Sequence, residues 1–188
     1  MVDLTRRQWF ARLAPAAVDT VLHPLEARVA RHFPPQRRPP GAKPEIVFRA
    51  LCSACGECAK ACPHDAIFTF NEEAGANVGT PVMIPDRNPC LMCEDLPCIS
   101  ACGEGALEAL SAVSTGTIGI GSVEVVETLC LAKAGPDCGA CANLCPGSVD
   151  AVSFVNRVPI VDQDECVGCG LCIQACPVTP PAIVLLAL

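Results

Sequence analysis

The sequence predicts an α+β, loop-rich fold of two modules with pseudo-two-fold symmetry, preceded by an N-terminal helical segment. The first observation is an internal repeat, because four groups of cysteines begin 38, 40 and 36 residues apart, at Cys52, Cys90, Cys130 and Cys166. The second is that short apolar runs flank each group, as expected of strands on either side of a loop. The third is a shortage of aromatic side chains, six Phe and one Trp in 188 residues, which leaves stabilisation to disulfides or metal.

Each repeat unit is predicted as a strand, a cysteine loop, a short helical turn and a second strand. The runs before the four groups are residues 46–48, 81–84, 123–126 and 158–161. The runs after them are residues 66–68, 106–107, 151–154 and 182–186. Units of this size cannot bury separate cores, so we expect them to pair.

The first 44 residues are predicted to form a separate arm. Residues 1–33 have the pattern of short amphipathic helices, and five prolines in residues 34–44 indicate an extended linker or a strap across a surface. Residues 1–48 carry eight Lys/Arg against four acids, whereas residues 49–188 carry five against sixteen. A basic arm suits docking to an acidic surface. The acidic remainder disfavours nucleic acid as a partner.

The N-terminus also bears on the cellular compartment. Arg6 and Arg7 form a twin-arginine pair, as in export signals, but residues 11–21 contain two charges and a proline and make no clean apolar run. We therefore favour a cytoplasmic protein, with export through a twin-arginine route as the alternative. The longest apolar run, residues 182–188, is too short to span a membrane.

The first and fourth cysteine groups have the spacing of iron–sulfur proteins. Residues 52–63 read Cys-x2-Cys-x2-Cys-x3-Cys-Pro, and residues 166–177 repeat that pattern. It is the bacterial ferredoxin run, in which three cysteines ligate one [4Fe–4S] cluster and the fourth ligates the other cluster of a pair. Pro63 and Pro177 fix the direction in which the chain leaves the loop. Small residues between the cysteines let backbone N–H groups approach the cluster sulfurs.

The second and third groups depart from this spacing. Residues 90–102 read Cys-x2-Cys-x4-Cys-x3-Cys, with Gly103 in place of the proline, and residues 130–145 read Cys-x7-Cys-x2-Cys-x3-Cys. Taken alone, four cysteines also suit a zinc ion or disulfides. Because the final Cys-x3-Cys is kept beside two regular runs, we interpret both groups as cluster sites. Sixteen cysteines then make four [4Fe–4S] clusters with none left over.

The fourth cysteine of each group needs a partner group, and two pairings are open. Groups of like spacing suit a shared pseudo-two-fold, which favours a nested pairing of the first with the fourth and the second with the third. Residues 45–188 then form an outer module of 45–80 and 155–188 and an inner module of 81–154. The nested ligand sets are Cys52, Cys55, Cys58 and Cys176; Cys166, Cys169, Cys172 and Cys62; Cys90, Cys93, Cys98 and Cys145; and Cys130, Cys138, Cys141 and Cys102. Sequential pairing, first with second and third with fourth, is the alternative.

Several segments resemble the ferredoxin-type proteins of the NapG/MauM family, which belong to periplasmic nitrate reductase and methylamine utilisation systems. They are Arg38-Pro-Pro-Gly-Ala, Cys52-Ser-Ala-Cys-Gly-Glu-Cys, Gly79-Thr-Pro and Pro89-Cys-Leu-Met-Cys-Glu-Asp-Leu-Pro-Cys. Residues 130–145 and 166–172 are similar to both NapG and the cytoplasmic accessory ferredoxin NapF. The resemblance implies a four-cluster ferredoxin fold, electron transfer, and association with a redox enzyme or quinol oxidase, often a molybdenum enzyme.

The sequence therefore predicts an electron-transfer protein or subunit that relays electrons to or from a partner oxidoreductase. A molybdenum or tungsten enzyme is among the candidate partners. The alternative function is an accessory ferredoxin that binds a catalytic subunit during its maturation. No catalytic triad, phosphate loop or carboxylate pair is visible, and four thiolates per cluster leave no iron open, so no catalytic residue is predicted.

Overall fold

The structure is a computed structural model that describes residues 36–108, 120–135, 137–147 and 149–186. The chain divides into two units, Met1–Pro35 and Gln36–Leu188, and every described residue lies in the second. The helices predicted within residues 1–33 and the twin-arginine pair lie outside the described residues. The second unit mixes short helices and strands, as expected of an α+β fold.

The described elements are short, which leaves much of the chain in loops. The helices are α1 Glu45–Leu51, α2 Glu57–Lys60, α3 Pro97–Ser100, α4 Leu131–Ala134 and α5 Leu171–Gln174, with a 3₁₀ helix at Glu72–Asn77. The strands are β1 Ile67–Thr69, β2 Pro81–Met83, β3 Val123–Val125, β4 Val152–Val155, β5 Val158–Val161 and β6 Ile183–Leu185. Within the described ranges, no helix has the length and hydropathy needed to cross a membrane.

The strands pair within two consecutive stretches of chain. β1 pairs antiparallel with β2, β3 with β6 and β4 with β5. The buried side chains also fall into two clusters, one drawn from residues 48–120 and the other from residues 123–183. We define residues 36–108 as the first module and residues 123–186 as the second.

The predicted division into outer and inner modules is therefore wrong. It would place β1 in the outer module of 45–80 and 155–188, and its partner β2 in the inner module of 81–154. Ile67 in fact lies opposite Met83, and both belong to the core of the first module. Strands joined by a short connection pay little loop-closure entropy when they pair, and consecutive elements are usually neighbours.

The extended run predicted at residues 46–48 is helix α1 instead. Pro44 precedes the helix, Glu45 lies in its first turn and Arg49 in its last turn, so both charges complement the helix dipole. Phe48 faces the core and is completely buried. Six of the remaining predicted runs overlap the strands β1 to β6, as expected. The run predicted at residues 106–107 is not a strand, and only Leu107 forms an isolated bridge there.

Residues 36–44 belong to the first module, so the predicted boundary between an arm of 1–44 and a domain of 45–188 is also wrong. The Arg38 side chain is buried, and its Nε and Nη2 donate to the two carboxylate oxygens of Glu45 at 2.9 and 2.7 Å. Its Nη1 donates to Thr80 Oγ1 at 2.9 Å and to the Pro81 carbonyl at 2.6 Å. A segment that looked like a linker is thus anchored by a buried ion pair.

Two of the three prolines in residues 36–44 are core residues. Pro39 and Pro40 are fully buried, which proline tolerates because it has no N–H that would need a partner. Gly41 follows with a φ of +77°, and a Cβ there would lie 2.4 Å from the Glu108 carbonyl oxygen. Ala42 then forms an antiparallel bridge with Leu107. We call residues 36–44 the strap, because they close over the first module.

Candidate metal centres

The sixteen cysteines gather into four sets of four, each around an apolar cavity of about 340 to 370 Å³. The sets are Cys52, Cys55, Cys58 and Cys102 at site I; Cys62, Cys90, Cys93 and Cys98 at site II; Cys145, Cys166, Cys169 and Cys172 at site III; and Cys130, Cys138, Cys141 and Cys176 at site IV. Each set combines three cysteines of one group with the fourth cysteine of another. The exchange of the fourth cysteine is therefore present in all four sites.

The partner of each exchange differs from the nested pairing. Cys102, and not Cys176, completes site I, and Cys62 joins the second group rather than the fourth. In the same way Cys176 joins the third group at site IV, and Cys145 joins the fourth group at site III. The nested sets are thus corrected to the sequential ones.

The strand pairs explain this outcome. β1 leaves the first cysteine group and pairs with β2, which leads to the second group. β4 and β5 connect the third group to the fourth in the same manner, and β3 pairs with β6 around them. The similar cysteine spacing of the first and fourth groups suggested that these distant groups pair. The short connections between strands instead bring groups that are neighbours in the sequence together.

Three of the four fourth cysteines accept a backbone hydrogen bond that suits a thiolate. The N–H of Ala66 donates to Cys62 Sγ at 3.4 Å, and the N–H of Leu107 donates to Cys102 Sγ at 3.4 Å. Cys176 Sγ accepts from the Ala182 N–H at 3.3 Å. Backbone donors of this kind stabilise sulfur that carries negative charge and tune the potential of a bound cluster.

Burial disfavours the charged form of several cysteine thiols at these sites. Burial raises the pKa of Cys58 to about 11 and that of Cys98 to about 11, and a neighbouring fourth cysteine adds to each rise. Burial likewise raises the pKa of Cys90 to about 12 and that of Cys172 to about 12. Because the thiolate is the metal ligand, four converging thiolates need the positive charge of bound iron.

The arrangement of the cysteines bears on which metal the sites fit. A zinc ion needs four sulfurs at about 2.3 Å from one point. In the described parts of the chain, which include all sixteen cysteines, no group of three or more His, Cys, Asp or Glu side chains is arranged to hold a single metal ion. All sixteen are free thiols rather than disulfides. Four cysteines around a cavity fit a cluster of several irons instead.

Comparison with known families agrees with this assignment. The model of the 4Fe-4S dicluster domain matches residues 51–106 and residues 136–179. The first region contains all eight cysteines of sites I and II, and the second contains seven of the eight at sites III and IV, with Cys130 outside it. Each matched region thus corresponds to one consecutive module.

The chain is also similar to curated proteins over most of its length. It is 37% identical to the methylamine utilization ferredoxin-type protein MauM of Methylophilus methylotrophus, over 96% of this chain and 84% of that protein. It is 34% identical to the ferredoxin-type protein NapG of Escherichia coli K12, over 92% of this chain and 79% of that protein. MauM of Paracoccus denitrificans is 34% identical over 89% of this chain.

Proposed function

Because the chain belongs to the family of ferredoxin-type electron-transfer proteins that includes NapG and MauM, we propose that its sixteen cysteines hold four [4Fe–4S] clusters. The observation that carries this proposal is the division of those cysteines into four sets of four around similar cavities. Bound clusters supply one-electron redox chemistry. The thiolates hold them, and backbone N–H groups such as that of Ala66 offset part of their negative charge.

The protein's role is to relay electrons to or from a partner oxidoreductase, without a catalytic site of its own. Every cysteine serves as a cluster ligand, so each iron has a thiolate and none is left open to bind a substrate. The proposed pseudo-two-fold within each module is supported by the matching N–H donors to Cys62 and Cys102 in the first module.

The partner is a larger redox enzyme, with molybdenum and tungsten enzymes as candidates. Similarity to MauM, a ferredoxin-type protein of methylamine utilization, supports a redox-enzyme partner. An accessory ferredoxin that binds a catalytic subunit during maturation is the second candidate. Anaerobic affinity purification separates the two: a stable complex with active enzyme supports the relay, and capture of cofactor-free enzyme alone supports maturation.

Iron analysis tests the cofactor assignment. Anaerobically purified protein is expected to contain roughly 16 iron and 16 acid-labile sulfide per chain, four of each per cluster. Stoichiometric zinc with little iron would contradict the proposal. Iron near eight per chain would mean that only one of the two modules holds its clusters.

We also propose a cytoplasmic location, based on the charged stretch after Arg6 and Arg7. A fusion of residues 1–35 to a reporter protein that is active only after export tests it. Reporter activity that disappears in the Arg6→Lys, Arg7→Lys double variant would show a twin-arginine signal and overturn this location.

A further inference from the structure

The two modules meet at cysteines of two different sites. The backbone N–H of Cys90, a site II cysteine in the first module, donates to the carbonyl of Cys169 at 2.8 Å. Cys169 belongs to site III in the second module. The two ligand sets are therefore joined by one hydrogen bond between the backbones that carry their thiols.

Close backbone approach on both sides of Cys169 reinforces this contact. Gly170 has a φ of +87°, and a Cβ there would lie 2.3 Å from the Pro85 carbonyl oxygen of the first module. Gly168 has a φ of +66°, and its Cβ would meet the Gly121 backbone between the modules at 2.6 Å. Neither position has space for a side chain, so glycine lets the chains approach this closely.

The equivalent loop of the first cysteine group has the same backbone shape but different surroundings. Ala54 and Gly56 flank Cys55 with φ values of 57° and 75°, as Gly168 and Gly170 flank Cys169. Nothing lies within 4 Å of a Cβ built on Gly56, and Cys55 is exposed. The positive φ values are therefore a property of the cysteine loop itself. The lack of space around Gly170 results instead from the contact between the two modules.

We propose that electrons pass between the two modules at this junction, from the cluster of site II to that of site III or in the reverse direction, so that the four sites form one chain in the order I, II, III, IV. The inference rests on the proposed function. Sites I and II adjoin because they exchange Cys62 and Cys102, and sites III and IV adjoin because they exchange Cys145 and Cys176. The Cys90–Cys169 hydrogen bond supplies the missing link between the two pairs.

The step moves one electron and no atom. A reduced cluster in one module is oxidised, an oxidised cluster in the other is reduced, and the electron comes from the redox cofactor of a partner protein. Tunnelling weakens exponentially with distance, and the 2.8 Å hydrogen bond from Cys90 to Cys169 gives a short route between the backbones of the two ligand sets. Gly170 acts as a positioning residue, since it sets how closely the two cysteines approach.

Substitution of Gly170 by asparagine tests the proposal with a matched control. Asparagine tolerates positive φ, so the Gly170→Asn change mainly adds volume against Pro85. Gly56→Asn adds the same side chain away from the junction, where space is free. Both are made in a chain that carries Cys55→Ser and Cys138→Ser, which removes the outer clusters and leaves those of sites II and III, about eight iron per chain.

The readout is the electron paramagnetic resonance spectrum of the fully reduced protein. The parent and the Gly56→Asn variant are expected to show splitting from two interacting clusters, and Gly170→Asn is expected to lose part or all of it while keeping its iron. Unchanged splitting in Gly170→Asn would overturn the junction but not the clusters. Iron or zinc content that contradicts four clusters in the unmodified chain is a failure of the proposed function instead.

A second variant keeps the test decisive if Gly170→Asn loses iron. Arg37 Nη2 donates to the Leu186 carbonyl at 2.6 Å, which is another tie between the modules and involves no cysteine. In the same parent, Arg37→Ala is expected to loosen the junction and reduce the splitting, while the protein keeps its roughly eight iron per chain. If the splitting stays as in the parent, the proposal is wrong.

Discussion

At the scale of single residues, Arg38 combines a full set of hydrogen bonds with aromatic contact. Its guanidinium lies 4.6 Å from the ring centroid of Phe48, in addition to its bonds with Glu45, Thr80 and Pro81. Both members of the ion pair are largely removed from water, at 4% and 14% exposure. An ion pair in that position matters mainly because either partner alone would be a buried, uncompensated charge.

The Arg38→Ala variant is therefore expected to be destabilised by about 3 kcal/mol or more. Arg38→Lys is expected to recover only part of this loss, since an ammonium cannot bind both Glu45 oxygens in a planar fork. Thermal unfolding under anaerobic conditions, followed by the loss of visible absorbance, measures the change. Lys60→Ala is the control, because Lys60 pairs with Glu57 on the exposed surface and should leave the transition unchanged.

The sequence showed the Arg38-Pro-Pro-Gly-Ala segment as a family feature but not what Arg38 does. Charge counting assigned it to a basic arm, since neither spacing nor composition indicates that Glu45 lies beside it. The cysteines were different, because the type and number of ligands follow directly from their spacing. Residues whose role depends on contacts across the fold stay hidden from such patterns.

At the scale of elements, the strap was the main misinterpretation. Five prolines in residues 34–44 indicate an extended conformation, but the described residues 36–44 make a turn at Pro40 and Gly41, closed by a hydrogen bond from the Ala42 N–H to the Pro39 carbonyl. Their burial could not be foreseen, because a proline-rich strand looks the same whether it crosses solvent or closes a core. The short strands around the cysteine loops were predictable from their apolar runs, whereas residues 46–48 were ambiguous because three apolar residues suit either a strand or a helix.

A glycine pair tests whether the strap is held as closely as the structure indicates. Gly41 and Gly75 both have positive φ, at +77° and +55°, but a Cβ at Gly41 would meet the Glu108 backbone and one at Gly75 meets nothing. Gly75→Ala is expected to cost about 1 to 3 kcal/mol from backbone strain alone, because residues with a Cβ rarely adopt φ +55° with ψ −121°. Gly41→Ala is expected to lower the unfolding temperature clearly more. Equal effects of the two changes would show that the strap is not packed against Glu108.

At the scale of the whole molecule, the described residues form two consecutive ferredoxin-like modules rather than two nested ones. The nested pairing is predicted because residues 52–62 and 166–176 have the same spacing of cysteines, and the two loops are similar in this respect. It failed because loop geometry does not decide which loops meet. The β1–β2 and β4–β5 connections decide that, and the sequence alone ranks such alternatives poorly.

Two deletions separate the function of the N-terminal residues from the stability of the first module. Removal of residues 1–35 is expected to keep iron at roughly 16 per chain. It should weaken salt-sensitive association with the redox partner, in line with a basic docking segment. Removal of residues 1–44 also takes away Arg38, Pro39 and Pro40, and the clusters of sites I and II should be lost. Equal iron content in the two shortened proteins would argue against the structural role of the strap. Unchanged affinity for the partner at both low and high salt would argue against a docking role of residues 1–35.

The Cys102→Ser variant tests the sequential sharing of cysteines most directly. Under native anaerobic conditions, thiols that hold a cluster resist alkylation, and thiols of a lost cluster react. Mass spectrometry is then expected to find alkylation at Cys52, Cys55 and Cys58, with iron down to roughly 12 per chain. Protection of those three thiols, together with alkylation of Cys130, Cys138 and Cys141, would restore the nested pairing and contradict the account given above.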